Sequence, residues 1–470
     1  MLPLSSKIIL KINKKELQKE QNPTYLGVQL DRQLTLKQHI ENLKSKSTKR
    51  LRLLKKLATT EWGSDKATLR SLYLGYVRSS LEYGAALMTS CSAANLKQLD
   101  RIQNSAVRFI NGGMRSTPTS ACEVHADIGP LGLRREKATM ELYEKCKRGN
   151  TSNPNRKLVD EWQPQTRLKE KSVLHKVMEL KEKHNLPTQR QEIMTVMKDM
   201  PPHNEYILPE ICVTLVGNVT KKDDPVTVLT ASLLTIGKFP DDWIHVYTDG
   251  SATRGTGKAG YGIYIEYPDG SSGEVSKACG EHSSNYDAEV AAIENTLALL
   301  KTQMQEYPEK KRNIVIFTDA MSALQSLEED PMNKPEFQSI IMDAHVLMTA
   351  CDVKIFMQWI PGHSDTPGND KADRLAKKGS EQAQPQTKAT YETVKTILRA
   401  NIKEEWLRGW STAETGRELF KFMEAPKRAD AANALSRKDQ STIFRMRTQH
   451  IALNKHLHRI GAHTTLFVAT

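Results

Sequence analysis

The stretch Ile244-His245-Val246-Tyr247-Thr248-Asp249-Gly250-Ser251 sets the frame for the chain. It is a short apolar run that passes straight into a carboxylate and a turn glycine. The same design returns at Ile314-Val315-Ile316-Phe317-Thr318-Asp319-Ala320. Apolar runs of this length, bounded by polar residues, suit strands buried on both faces, as in the parallel part of an α/β sheet. Each strand then delivers its aspartate, Asp249 or Asp319, to the carboxyl edge, where open α/β sheets hold their ligands. Two carboxylates side by side at the edge of an apolar sheet are unfavourable unless something positive sits between them.

A third acid lies between the two strands. Segment 286–300 is rich in helix formers, with Val290, Ile293, Leu297 and Leu300 on one face. Ser284 or Asn285 offers an N-cap. Glu289 falls on the border of the buried stripe, near the helix end that meets the sheet edge. Further on, the run 353–360 predicts another strand, which ends in a loop carrying Pro361, Gly362, His363, Pro367 and Gly368. A new helix starts at Asn369, and Asn369 and Asp373, four apart, look the same way from its first turn.

The blocks Thr248-Asp249-Gly250-Ser251, Ala288-Glu289-Val290-Ala291-Ala292-Ile293, Thr318-Asp319-Ala320 and Gly368-Asn369-Asp370-Lys371-Ala372-Asp373-Arg374-Leu375-Ala376 resemble the four blocks of a type-1 ribonuclease H domain, in the family's order and at its approximate spacing. The resemblance implies an α/β fold: a five-stranded mixed sheet with helices on both faces. It implies that Asp249, Glu289, Asp319 and Asp373 are metal-binding, catalytic carboxylates and that His363 is the catalytic loop histidine before the last helix. Nucleic-acid contacts are expected at Asn285, at the main chain of Gly250 and Ser251, and at Asn369. The activity implied is endonucleolytic cleavage of the RNA strand of an RNA–DNA hybrid, leaving a 3′-hydroxyl, with the 2′-hydroxyl distinguishing RNA from DNA.

That chemistry accounts for the acids. Phosphodiester hydrolysis needs an activated water and a stabilised leaving oxygen, and two divalent ions about 4 Å apart serve both ends. Magnesium takes oxygen ligands and keeps waters, so a few carboxylates and a substrate phosphate complete its shell; manganese is an alternative. Asp249, on the central strand, is placed to bridge both ions. Glu289 and Asp319 fall to the ion that activates water, Asp373 to the leaving-group side. Histidine's unperturbed pKa lies near neutrality, so a histidine at His363's place in the loop suits proton transfer on that side. A single Asp after a strand is usually a turn former, so the set of four carries the reading. Trp359 reads as core. Gly255-Thr256-Gly257-Lys258-Ala259-Gly260 satisfies G-x-G-x-x-G, but an alternating strand follows it, so it reads as a hairpin and not a dinucleotide site.

Charge is divided unevenly along the 470 residues. Residues 241–380 contain 13 Lys+Arg and 22 Asp+Glu, while the remainder contains 55 and 33, a net +22. Between Asp319 and Trp359 only Lys334 and Lys354 are basic, so no basic helix is available there to grip a hybrid. The flanks are the expected source of phosphate contacts. Six scattered cysteines without a C-x-x-C pair argue against a zinc site and for a reducing, intracellular setting, nucleus or cytoplasm undecided. No apolar run reaches membrane-spanning length and the start is no signal peptide.

Four parts follow. In residues 1–146, the run 25–30 predicts a strand. An amphipathic helix comes next, with Leu36, Ile40, Leu43, Leu51 and Leu54 inward and lysines and arginines mostly outward. Further helices are expected over 66–88 and 93–111. Tyr25-Leu26-Gly27-Val28, Leu81-Glu82-Tyr83-Gly84 and Leu99-Asp100-Arg101-Ile102-Gln103-Asn104-Ser105-Ala106-Val107-Arg108 resemble the thumb-like helical end of a non-LTR (LINE-type) retrotransposon reverse transcriptase, over about residues 20–145. No aromatic-x-Asp-Asp palm block is found, so the chain reads as a downstream fragment of such a polyprotein and templated synthesis is not supported. Residues 147–240 are polar and proline-interrupted, a connector with scattered helices. Residues 241–380 are the nuclease-like part. Residues 381–470 form a basic helical tail, with helices near 392–410 and 416–424; His450, His456, His458 and His463 have no cysteine partners and read as exposed rather than as metal ligands. Two other function classes stay open: a non-catalytic nucleic-acid-binding relic, and an accessory module of a reverse transcriptase core supplied elsewhere.

Overall fold

The two apolar runs lie side by side. In a computed structural model, residues 11–13, 15, 16, 20–58, 63–164, 172–193, 205–329, 331–427, 430–451, 453, 456, 458 and 461 are described. A mixed sheet is built from β1 (Glu210–Cys212), β2 (Ile244–Ala252), β3 (Thr256–Glu266), β4 (Ser272–Ser284), β5 (Ile314–Thr318) and β6 (Ile355–Trp359), in the order β1-β6-β5-β2-β3-β4. β1, β6, β5 and β2 run parallel, and β3 and β4 return antiparallel. Every residue of β5 is buried, as its unbroken apolar run requires. The G-x-G-x-x-G run enters β3, which pairs with β2 and β4, so it is part of an antiparallel ladder.

Five strands match the expectation; β1 is the sixth. It comes from the stretch read as connector, pairing at Glu210, Ile211 and Cys212 with Phe356, Met357 and Gln358 of β6. Pro209 precedes it, a residue tolerated on an edge strand, and the strand is too short for periodicity to reveal. The same stretch supplies α1 (Pro225–Ile236), capped by Asp224.

Helices α2 (Asn285–Glu306), α3 (Met321–Glu329), α4 (Gln338–Ala350) and α5 (Pro367–Glu381) belong to the same unit, which comprises residues 145–160 and 186–397. Ser284 caps α2 through a reciprocal box with Asp287, and Pro367 opens α5 two residues ahead of the expected start at Asn369. Two glycines fix how closely these helices sit. A Cβ on Gly250 of β2 would stand 2.4 Å from the Glu289 nitrogen of α2, and one on Gly262 of β3 would stand 2.1 Å from the Ala372 carbonyl of α5. Gly262 pairs with Asp249, the neighbour of Gly250, so the two glycines face opposite sides of the sheet. Hence α2 and α5 cover opposite faces, each pressed against backbone.

The second unit comprises residues 1–144, 161–185 and 398–470 and is helical. Helix Lys37–Lys56 buries Ile40, Leu43, Leu51 and Leu54, with Leu36 buried just before it, and exposes Lys44, Lys46, Lys49, Arg52, Lys55 and Lys56. Ala93–Ile110 packs in the same core. The expected strand over 25–30 is instead a small hairpin, Thr24–Tyr25 against Val28–Gln29, because Leu26 and Gly27 both take positive φ (47° and 77°). The helix expected over 66–88 ends at Leu81 after a π-helical stretch and restarts at Ala85–Met88. The helix expected near 416–424 is only Arg417–Phe420. Residues of the tail belong to this same core: Arg437 donates to the Ile110 and Phe109 carbonyls at 2.7 and 2.8 Å, and Phe444 is fully buried. His456, expected exposed, is buried with its Nε2 3.1 Å from Ser116 Oγ, which also lies 3.1 Å from His450 Nδ1. His463 lies outside the described residues.

The glycine contacts make the first expectation. Gly262→Ala drives a methyl group into the α5 backbone and should lower stability by about 1–3 kcal/mol. Gly409→Ala, in a helix where a Cβ meets nothing within 4 Å, should raise it by about 0.5–1 kcal/mol. Urea midpoints shifting in opposite directions would bear this out; equal shifts would refute the close-packing account.

Candidate functional site

Register decides where the acids go. Thr248 of β2 pairs with Thr318 of β5, and Thr318 with Trp359 of β6, so the parallel pairing of the three strands ends level while β2 runs on to Ala252. The next residue along two of them is Asp249 or Asp319, at one edge. Asp249 is only 8% exposed and accepts from the Gly250 N–H at 2.8 Å. Asp319 Oδ1 is buried with no hydrogen-bond partner among the described residues. Glu289, half-buried in the second turn of α2, is carried over this edge by the close approach at Gly250. Asp373, from α5, receives the Lys377 ammonium at 2.5 Å.

The electrostatics of the acids accord with this placement. Burial, then the charges of Asp319 and Asp373, push the Asp249 carboxyl up to about 8. Burial and Asp319 push Glu289 up to about 7. Asp319 is also raised by burial, opposed by Lys221 and His363. The four acids therefore form a row, Glu289 next to Asp319, Asp319 next to Asp249, Asp249 next to Asp373. His363 is exposed in the loop between β6 and α5, in a left-handed conformation (φ 57°), with its charge felt at Asp319. Beside it, a Cβ on Gly362 would lie 2.1 Å from Asp319 Oδ2, so a side chain there would strike the carboxylate.

The expected nucleic-acid contacts divide. Asn285 is exposed as the first residue of α2, whose capping is done by Ser284. Gly250 and Ser251 are half-buried beside the acids. Asn369 is 2% exposed, enclosed by the fold rather than presented to a duplex, and its Oδ1 is buried without a hydrogen-bond partner among the described residues. Trp359 is buried, as its reading as core requires. One residue of the site went unnoticed in the sequence: Lys221, from the segment before β2, whose charge reaches both Glu289 and Asp319. No periodicity or motif ties it to them.

Buried carboxylates forced together, with an unpartnered oxygen on Asp319, fit a hard divalent cation and disfavour any softer centre. A second cluster, Glu136, His184 and Glu405 in the helical unit, brings ligand-type atoms within 4.8 Å of one another. There Lys183 bridges Glu136 and Glu405 at 2.7 and 2.6 Å, so it is an ion-pair staple between helices.

Carboxyls held above their unfolded value, near 4, bind protons that the unfolded chain has released, so stability falls as pH rises from about 4 to about 8. In a chelator, the sheet unit should melt at a lower temperature at pH 8 than at pH 5. Asp249→Asn should flatten that dependence, and magnesium should restore the midpoint at pH 8. A pH-independent midpoint would contradict the crowding.

Comparison with known proteins agrees with this geometry. The family model described as RNase H matches residues 241–381. Ribonuclease H of Stutzerimonas stutzeri is 29% identical over 156 residues, 31% of this chain and 97% of that protein. For ribonuclease H of Pseudomonas entomophila the identity is 25% over 155 residues, 31% of this chain and 98% of that protein. Mouse ribonuclease H1 is 28% identical over 158 residues, 30% of this chain and half of that protein. Among solved structures, LC11-RNase H1, isolated from compost, is 21% identical, with 30% of this chain and 96% of that chain covered and a TM-score of 0.24. Residues 241–381 of this chain are a ribonuclease H domain, and through it the chain is a hydrolase of that class.

Proposed function

We propose that this domain cuts the RNA strand of RNA–DNA hybrids, with Asp249, Glu289, Asp319 and Asp373 holding two magnesium or manganese ions. The observation that supports it most is the row of four carboxylates drawn from four separate elements to one sheet edge. Two such ions, when bound, supply the charge that makes water nucleophilic and stabilises the departing oxygen. Asp249, whose carboxyl feels the charges of both Asp319 and Asp373, would be shared between the two ions. Glu289 and Asp319 would hold the ion on the water-activating side and Asp373 the one on the leaving side.

The chain's own groups do the rest. His363, exposed beside Asp319, donates a proton to the 3′-oxygen as its bond to phosphorus breaks, while the attacking water gives its proton to solvent, so that water's oxygen ends on the 5′-phosphate and the RNA keeps a 3′-hydroxyl. Backbone at Gly250 and Ser251, and the exposed amide of Asn285, read the minor groove and its 2′-hydroxyls. Asn369, being buried, is left out of these contacts. α4 contains neither lysine nor arginine, so it offers no cation to grip the hybrid. The resemblance of residues 20–145 to a reverse transcriptase thumb supports a retrotransposon origin, and the basic flanks support a role in holding the hybrid or a separate polymerase core.

Asp319→Asn should abolish magnesium-dependent cleavage of a labelled hybrid, a loss of at least about 10³-fold, while leaving hybrid affinity within a few-fold of wild type. Retention of cutting would remove Asp319 from the site. A salt titration addresses the flanks. The full chain should show a steeper fall of log affinity with log salt than residues 205–397 alone, by roughly 0.9 for each phosphate that the flanks neutralise. Identical slopes would confine binding to the sheet unit.

A further inference from the structure

The acid row has a lysine near each end. Lys377 of α5 pairs with Asp373 at 2.5 Å. Lys221 stands near Glu289 and Asp319 and comes from residues 215–222, ahead of the ribonuclease H match. This segment is pinned to the sheet unit. Leu215 is buried in the sheet's core, the Thr214 carbonyl accepts from Gln358 Nε2 at 3.0 Å, and the Val216 N–H donates to Thr235 of α1 at 3.0 Å. Its far end is closed by Asp223, whose carboxylate accepts from the Thr220 N–H and hydroxyl at 2.7 and 3.0 Å. Lys221 is thus carried on a tied loop, with its ammonium 5.7 Å from the centre of the Trp359 ring.

Between this loop and the sheet lies a mainly apolar groove of about 430 Å³, walled by Val213, Val219, Met321 and Trp359 and bordered by Lys221 and Lys222. Met321 is two residues past Asp319, and Trp359 is level with Thr318, so the groove opens beside the carboxylate edge. Lys221 is exposed and, among the described residues, forms no contact ion pair with either acid. A cation held near the acids without contacting them suits a second anion. A polynucleotide whose cleaved phosphate lies over the acids must place neighbouring phosphates along the edge, and two lysines line the direction in which this groove continues from Asp319.

We propose that Lys221 is a substrate-binding residue that holds a phosphate of the RNA strand next to the one being cleaved, with the groove behind it seating that strand's backbone. The assignment rests on the hybrid-cleaving reading of the acid row, and it adds a contact from outside the ribonuclease H segment.

The test uses the full chain, a labelled RNA–DNA hybrid and Lys221→Ala and Lys221→Arg. Binding is measured in a chelator, so that nothing is cut. Lys221→Ala should weaken binding about five- to tenfold and reduce the salt slope by roughly 1, while Lys221→Arg stays within about twofold. With magnesium, Lys221→Ala should raise KM by a similar factor and change kcat less than about twofold. Unchanged affinity and slope overturn the proposal. So does a lower magnesium requirement with unchanged affinity, which would make Lys221 a counter-charge to the acids. If wild type binds but does not cut, and Lys221→Ala binds more weakly, the groove assignment stands and the nuclease reading fails. If wild type cuts and Lys221→Ala binds equally well, the outcome is the reverse.

Discussion

Mutual repulsion among Asp249, Glu289, Asp319 and Asp373 is the constraint around which the sheet unit is arranged. Burying one carboxylate without a partner is costly, and burying several within charge reach of each other is costlier still. The fold accepts this at the edge where the parallel pairing of β2, β5 and β6 stops. A sheet interior that is apolar through β5 and closely covered by helices supplies the rigidity that keeps the acids from relaxing apart. Without a divalent cation the unfavourable energy of Asp249, Glu289 and Asp319 appears as raised proton affinity; on the proposed reading, a bound cation would turn the same crowding into affinity for the ion.

That rigidity is a matter of backbone against backbone. Gly250 lets α2 descend until Glu289 overhangs the strand end, and Gly262 lets α5 do the same on the other face, where Asp373 is carried. Gly362 clears the third approach, so that the loop bearing His363 can pass Asp319 without a side chain striking it. These positions set distances in the site although none of them contributes a functional group. Changing one would push a carboxylate-bearing element away from the sheet edge, and a magnesium site held by these oxygens would tolerate only a fraction of an ångström.

Much of this was legible in the chain. The strands with Asp249 and Asp319 announced themselves because a strand buried on both faces must be continuously apolar, and a carboxylate at its end breaks the pattern visibly. The cap at Ser284 and the helix carrying Glu289 followed from local chemistry. What escaped was set by long-range pairing. β1 is three residues long beside a proline, and its identity as a strand depends on β6, more than 140 residues away. The hairpin at Thr24–Tyr25 and Val28–Gln29 turns on Leu26 and Gly27, and leucine is a poor signal for positive φ. Asn369 shares a helix face with Asp373, yet depth in the fold, which spacing along a helix does not report, enclosed it.

Lys221 brings these threads together. Its loop can be fixed near the acids only because β1 extends the parallel sheet past β6, so the strand that sequence periodicity could not reveal is also what delivers a cation to the site. The ribonuclease H segment is acidic, net −9 over residues 241–380, and its α4 offers no positive charge. A domain so constituted repels a polyanion at long range and attracts it only where cations intervene. Placing a lysine on an added strand meets that need without altering the carboxylates or the helices that carry them. It also puts a positive charge near Glu289 and Asp319, with Lys377 at Asp373, so the acids are flanked by cations from two different elements.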